Sequence, residues 1–169
     1  MQLLVIRHAI AEDRDRWSFS GHPDSERPLT AEGKKKMRRG AAGLRLLVPE
    51  LDTLATSPLV RAMDTATIVA REYGMEVETV PELAPERTAE DLLPWLRGRG
   101  PDGCSAVVGH EPGLGFLVGW LLTGRHESFV EFRKGGACLL EFDDPPAAGN
   151  ATLLWSLAPA QLRRLERAR

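Results

Sequence analysis

Residues 3–10 read LLVIRHAI. Four apolar residues in a row, Leu3, Leu4, Val5 and Ile6, give way at once to Arg7 and His8. A short unbroken apolar run is the pattern of a strand buried on both faces, as in a parallel sheet covered by helices; a half-exposed strand would alternate. Residues 2–6 are therefore expected to form a fully buried strand, with two cationic or protonatable side chains at its tip.

Working outward, residues 10–29 are polar and turn-rich and are expected to form one loop of about 20 residues, a length that in a compact domain usually signals function or mobility. A helix is expected over 31–48. Thr30 is its N-cap, Glu32 lies in its first turn, Met37, Ala41, Leu44 and Val48 fall at helical spacing, and Pro49 ends it. DTLATS (52–57) reads as a strand. The next helix opens with Pro58 at its first position and closes with Gly74 just past its end. EVETV (76–80) is a strand, and 88–100 is a helix interrupted by Pro94. CSAVVGH (104–110) is a second apolar strand that ends in a histidine, followed by a helix over 112–122 with Pro112 at its start. Strands over 135–142 and 151–157 pair across the turn DDPPAAGN, and 159–168 form a terminal helix. Strands alternating with helices predict one α/β domain spanning 1–169, a three-layer α/β/α sandwich around a largely parallel central sheet.

Bulk properties narrow the function classes. The 22 Lys and Arg residues against 24 Asp and Glu leave a net charge of −2, so no basic field favours nucleic acid and no acidic tail favours disorder. No apolar run reaches the roughly 20 residues of a membrane helix, and Met1 leads directly into a strand; a cytoplasmic protein without membrane attachment is expected. Cys104 and Cys138 show no metal-ligand spacing and are expected to be buried free thiols.

In a parallel α/β sheet, ligands bind beyond the carboxyl ends of the strands. Three junctions bring distinctive residues to that edge: Arg7 and His8 after the first strand, Ser57 with Arg61 one turn into the next helix, and His110 after the fourth strand. Two arginines, two histidines and the free N–H groups of two helix starts suit a phosphoryl group. Arginine grips its oxygens bidentately at any relevant pH, and a neutral imidazole is a competent phosphorus nucleophile near pH 7. Without Cys, Asp or a third His at ligand spacing, the histidine pair predicts no metal site. His22 and His126 carry no pattern and read as surface residues, and Lys34–Lys36 as a solvated helix face. Among the four tryptophans, Trp17 is the one placed where it could touch a substrate.

The stretches LVIRHA, TSPLVRAMDTA (56–66) and VVGHEPGL (107–114), together with RPLTAEG (27–33) and residues 81–83, resemble the histidine phosphatase superfamily, with its phosphoglycerate mutase-like fold. The short chain is similar to the compact SixA-type phosphohistidine phosphatase branch. Ala9 departs from the pattern, which has Gly there; alanine is the smallest replacement.

The resemblance implies that His8 is the nucleophile, forming a phosphohistidine that water then hydrolyses. Arg7, Arg61 and His110 clamp the non-bridging oxygens, and His110 is protonated when the dianion binds. Ser57 is a candidate for a further phosphate hydrogen bond, or an N-cap. Glu82 is the candidate general acid, with Glu111 as the alternative. No metal or organic cofactor is implied. The expected partner is a phosphohistidine-carrying signalling protein. Two alternatives stay open: a phosphomonoesterase acting on small phosphorylated metabolites, and a catalytically weak phosphate-binding or interaction module.

Overall fold

The computed structural model describes residues 1–166. Strand β1 (Gln2–Arg7) leads through helix α1 (Arg14–Phe19) to helix α2 (Ala31–Leu47). Strand β2 (Thr53–Thr56), helix α3 (Val60–Tyr73), strand β3 (Glu78–Thr79) and helix α4 (Leu93–Arg97) follow. Strand β4 (Cys104–Gly109), helix α5 (Gly113–Thr123), strands β5 (Ala137–Glu141) and β6 (Thr152–Leu157), and helix α6 (Pro159–Glu166) complete the chain. Residues 167 and 168 of the expected terminal helix lie outside the described residues.

The strands form one sheet in the order β3-β2-β4-β1-β5-β6. The first four in that order run parallel, and β5 and β6 add an antiparallel hairpin beside β1. The sheet is therefore mixed, with its parallel part holding both apolar strands at the centre. Alternation along β1 explains why it reads as continuously apolar. Leu4 and Ile6 join the core shared with Met37 and Leu44 of α2, Val69 of α3 and Leu162 of α6. Leu3 and Val5 join the opposite core, with Leu117 and Leu121 of α5 and Leu96 of α4. Both faces are covered, giving the three layers expected.

Helix α2 begins as its sequence predicts: Thr30 caps it, its hydroxyl oxygen accepting from the Gly33 N–H at 2.9 Å. Gly33 has a second reason to be glycine. A Cβ there would run into the Ile10 carbonyl oxygen, so the chain leaving β1 passes directly against the start of α2. Helix α3 ends in Gly74 at φ +69°, a left-handed terminus.

Four expectations are corrected. Residues 10–29 are not a structureless loop: they hold α1, capped by the Asp13 carboxylate accepting from the Arg16 N–H, and a 3₁₀ turn over Asp24–Glu26. Helix α1 buries none of its residues, so it has no apolar periodicity to reveal it. Pro58 does not open α3, which starts at Val60 with Leu59 at its cap. The strand expected over 76–80 shrinks to Glu78–Thr79. Pro94 does not interrupt a long helix; it lies in the first turn of α4, after a 3₁₀ turn over Glu90–Leu92.

Both cysteines are buried and unpaired, and burial pushes each thiol up to about 12. No described helix is long and apolar enough to cross a membrane.

Candidate active site

Register decides the site. Arg7 lies opposite Gly109 across the β1–β4 pair, and Thr56 opposite Val108 across β2–β4. Backbone hydrogen bonding continues one residue further at each tip: the His8 N–H donates to the Gly109 carbonyl at 3.0 Å and the Ser57 N–H to the Val108 carbonyl at 3.1 Å. Three parallel neighbours thus end level, and the residues after them emerge side by side. The rings of His8 and His110 stand with centroids 5.1 Å apart and planes at 51°. Arg7, His8, Arg61 and His110 line one cleft of about 610 Å³, which Arg27 and Lys134 also border. That volume exceeds what a phosphate needs and leaves room for the group that carries it.

Each side chain is held. The His8 Nδ1 lies 2.8 Å from the Ala9 carbonyl oxygen, which can only accept, so Nδ1 carries the proton and Nε2 keeps its lone pair. Ala9 needs no left-handed backbone: among the described residues no non-glycine has positive φ. Its N–H donates to the Thr65 hydroxyl at 3.0 Å, and that hydroxyl donates to the Arg61 carbonyl at 2.7 Å. Thr65 therefore ties the tip of β1 to the turn of α3 that carries Arg61. Arg7 donates from Nη1 to the Phe132 carbonyl. His110 pairs through Nε2 with the Ser57 hydroxyl at 2.8 Å.

Arg61 is almost wholly buried, yet paired. Its Nη1 donates to the Asp24 carbonyl oxygen at 2.9 Å, and its Nη2 lies 3.1 Å from the Asp24 carboxylate. Asp24 in turn accepts from the Arg27 Nε at 2.8 Å, and Arg27 anchors its Nη1 on the Glu12 carbonyl at 2.7 Å.

Burial dominates the electrostatics. It lowers His8 to about 4, with the Arg61 and Arg7 guanidinium charges adding to the shift and the Ala9 hydrogen bond opposing it. His110 falls to about 3, chiefly from burial and then from His8 and Arg61. Both imidazoles are neutral at pH 7 in the free site. Three buried side-chain nitrogens have no hydrogen-bonding partner among the described residues: Arg7 Nε, Arg61 Nε and His110 Nδ1. All three belong to this cleft.

The remaining candidates stand differently. Ser57 is buried and reaches the site through His110; its oxygen also accepts from the Leu59 N–H at 3.3 Å. Glu82 sits half-buried in the 3₁₀ turn Pro81–Leu83, lining a smaller pocket that shares His110 and Pro85 with the cleft. Both Glu111 oxygens are engaged by backbone, one by the Gly115 N–H and one by the Phe132 N–H, which fits a structural role. Trp17 donates from Nε1 to the Pro23 carbonyl and braces the 11–29 segment. His22 and His126 are exposed, and Lys34 and Lys36 pair with Asp64 and Glu32. Among the described residues no group of three or more His, Cys, Asp or Glu could hold a metal ion. Asp24, Arg27 and Thr65 were not singled out from sequence. The Asp-x-x-Arg spacing is the one local signal for the first two, since residues three apart can pair on a single turn.

The sequence matches the Histidine phosphatase superfamily (branch 1) over residues 3–92. It is 28% identical to the phosphohistidine phosphatase SixA of Escherichia coli over 167 residues, 96% of this chain and 97% of that protein. An uncharacterised protein of Picosynechococcus is 33% identical over 139 residues, 80% of this chain and 82% of its own. A solved structure of the protein histidine phosphatase SixA complexed with tungstate superposes with a TM-score of 0.80 at 28% identity, covering 96% of this chain and 99% of that one.

Proposed function

This chain belongs to the histidine phosphatase superfamily, and from that membership and the cleft's geometry we propose that it hydrolyses phosphohistidine on a signalling protein. The observation that carries the reading is the convergence of Arg7, His8, Arg61 and His110 on one cleft, with a buried nitrogen on each of Arg7, Arg61 and His110 left without a partner among the described residues. Buried polar groups without partners are costly, and an oxyanion in the cleft supplies acceptors to the side chains that carry them.

The reaction follows from the protonation states. His8 Nε2 attacks phosphorus in line, forming its N–P bond as the bond to the substrate imidazole breaks; the substrate ring, already protonated on its other nitrogen, leaves as neutral imidazole. Arg7 and Arg61 hold the non-bridging oxygens where negative charge is greatest, supplying the charge stabilisation that dominates phosphoryl transfer. The dianion reverses the sign of the local field at His110, which takes up a proton and becomes a third cationic donor. Ser57 orients that ring. Water then attacks phosphorus, the His8 N–P bond breaks, and orthophosphate departs. Glu82, in the neighbouring pocket that shares His110 and Pro85 with the cleft, accepts the water proton and serves as general acid when the leaving group is an alkoxide. An imidazole leaving group needs that help far less. The residues hold the anion without a metal.

Trapping decides the reading. The protein is mixed with a labelled phosphohistidine-carrying domain, quenched in alkali, and the label mapped. Label on His8 with release of orthophosphate is expected. Transfer from small phosphate esters but none from the phosphohistidine domain would replace it with the metabolite phosphomonoesterase reading.

A further inference from the structure

The Arg61 guanidinium has two faces to its bonding. Each of its terminal nitrogens makes one contact with the same residue, Asp24, Nη1 with the backbone carbonyl at 2.9 Å and Nη2 with the carboxylate at 3.1 Å, which leaves each a second N–H. Its Nε is buried and has no partner among the described residues. Asp24 is itself fixed. It stands in the 3₁₀ turn Asp24–Glu26, and its other carboxylate oxygen accepts from the Arg27 Nε at 2.8 Å. The Arg27 side chain is only 7% exposed and is tied to the Glu12 carbonyl. Arg14, by contrast, approaches the same carboxylate at 3.6 Å from an exposed position.

We propose that Asp24 and Arg27 are positioning residues for Arg61: Arg27 fixes the Asp24 carboxylate, and Asp24 holds each terminal nitrogen of Arg61 by one contact, so that the guanidinium plane is set before a phosphoryl oxygen arrives. Three physical points carry this. An arginine side chain has many rotamers, and a clamp that must meet an oxygen within a few tenths of an ångström gains by losing them before the anion arrives. A guanidinium bonded on two nitrogens by one neighbour has a fixed plane. An Asp24 held only by its short 3₁₀ turn would not be rigid enough to impose that plane, but a carboxylate shared with a buried arginine is. The segment 11–29, which carries no residue of the phosphate-binding set, thereby acts on catalysis through Arg61.

The inference rests on the anion-site reading above, and the test separates the two. Orthovanadate binding is measured by calorimetry, and p-nitrophenyl phosphate turnover by kcat and KM, for the wild type and for Asp24→Ala, Arg27→Gln, Arg61→Ala and Asp24→Ala/Arg61→Ala. Circular dichroism and thermal midpoints check each fold. Asp24→Ala is expected to lower kcat/KM and vanadate affinity by about 10-fold or more, and Arg27→Gln by a smaller factor in the same direction. In the Arg61→Ala background the same Asp24 substitution is expected to change kcat/KM by less than about 2-fold, because its target is gone. Equal losses in both backgrounds would overturn the proposal, since Asp24 would then act independently of Arg61. A gain in vanadate affinity on removing Asp24 would also overturn it, showing a carboxylate that competes with the anion. A folded wild type that binds no vanadate would instead overturn the anion site itself. Should Asp24→Ala fail to fold, Asp24→Asn carries the same cycle: it keeps an oxygen for Arg61 but loses the charge that holds Arg27.

Discussion

The imidazoles of His8 and His110 face each other at 5.1 Å between centroids although 102 positions separate them, because β1 and β4 are parallel neighbours that end level. The pair is a product of strand register. A slip of one residue in the β1–β4 pairing would send one ring to the opposite face of the sheet.

Replacing His8 is expected to stop turnover while the fold survives. His8→Ala should lower kcat by about 10,000-fold or more, abolish phosphoenzyme trapping, and leave orthovanadate binding measurable through the two arginines. Near-normal turnover in this variant would show that another group attacks phosphorus.

The two arginines are not replaceable by lysine. Arg61→Lys keeps a positive charge but loses the planar fork held by Asp24, and kcat/KM is expected to drop by about 100-fold. A change of less than about 3-fold would mean that charge alone, without geometry, supports the reaction.

Protonation gives a signed prediction. Folding lowers His8 from 6.5 to about 4 and His110 from 6.5 to about 3, mainly by burial. Between these values the unfolded chain binds protons that the folded chain refuses. The two sites' contribution is therefore intact above pH 6.5 and is lost as pH falls through that window, flattening below the folded values. Urea denaturation at intervals from pH 7.5 to 4 should show the decline, and His110→Asn should reduce its slope. NMR titration of the ring carbons should find both histidines neutral at pH 7. An imidazole among these two that titrates near 6.5 would contradict the desolvated site.

Anion binding should then be coupled to proton uptake. Calorimetry of orthovanadate in buffers of differing ionisation enthalpy is expected to reveal a proton taken up at pH 7, absent in His110→Asn. Activity is expected to survive EDTA unchanged; inhibition that added metal reverses would require a metal in the cycle.

Much of this was legible in the chain. The apolar runs of β1 and β4, the Thr30 cap and the proline and glycine punctuation placed the central strands and α2 nearly to the residue, because each rests on a local rule. The tips followed, since residues after parallel strands share an edge. What stayed hidden depends on contacts between distant segments. Helix α1 is polar throughout, so nothing periodic marks it. No local pattern marks Arg27 as buried, since it is held by Asp24 and the Glu12 carbonyl. Thr65 read as a helix residue; its bridge between Ala9 and the Arg61 carbonyl exists only once β1 and α3 meet. Ser57 reads as a phosphate ligand or cap; the structure adds His110 as a partner of its hydroxyl, which also accepts from the Leu59 N–H.

The place of β1 in the sheet has a consequence for how the molecule is made. Its two flanking partners, β4 and β5, come from the region beyond residue 103. Made before both partners, β1 must wait, apolar and unpaired, until the residues beyond 103 have followed, and only then can it be zipped in from both sides. Catalytic competence is thus a late event in biogenesis, and a nascent chain halted before residue 104 carries the attacking histidine without the strand that seats it or the second imidazole that faces it.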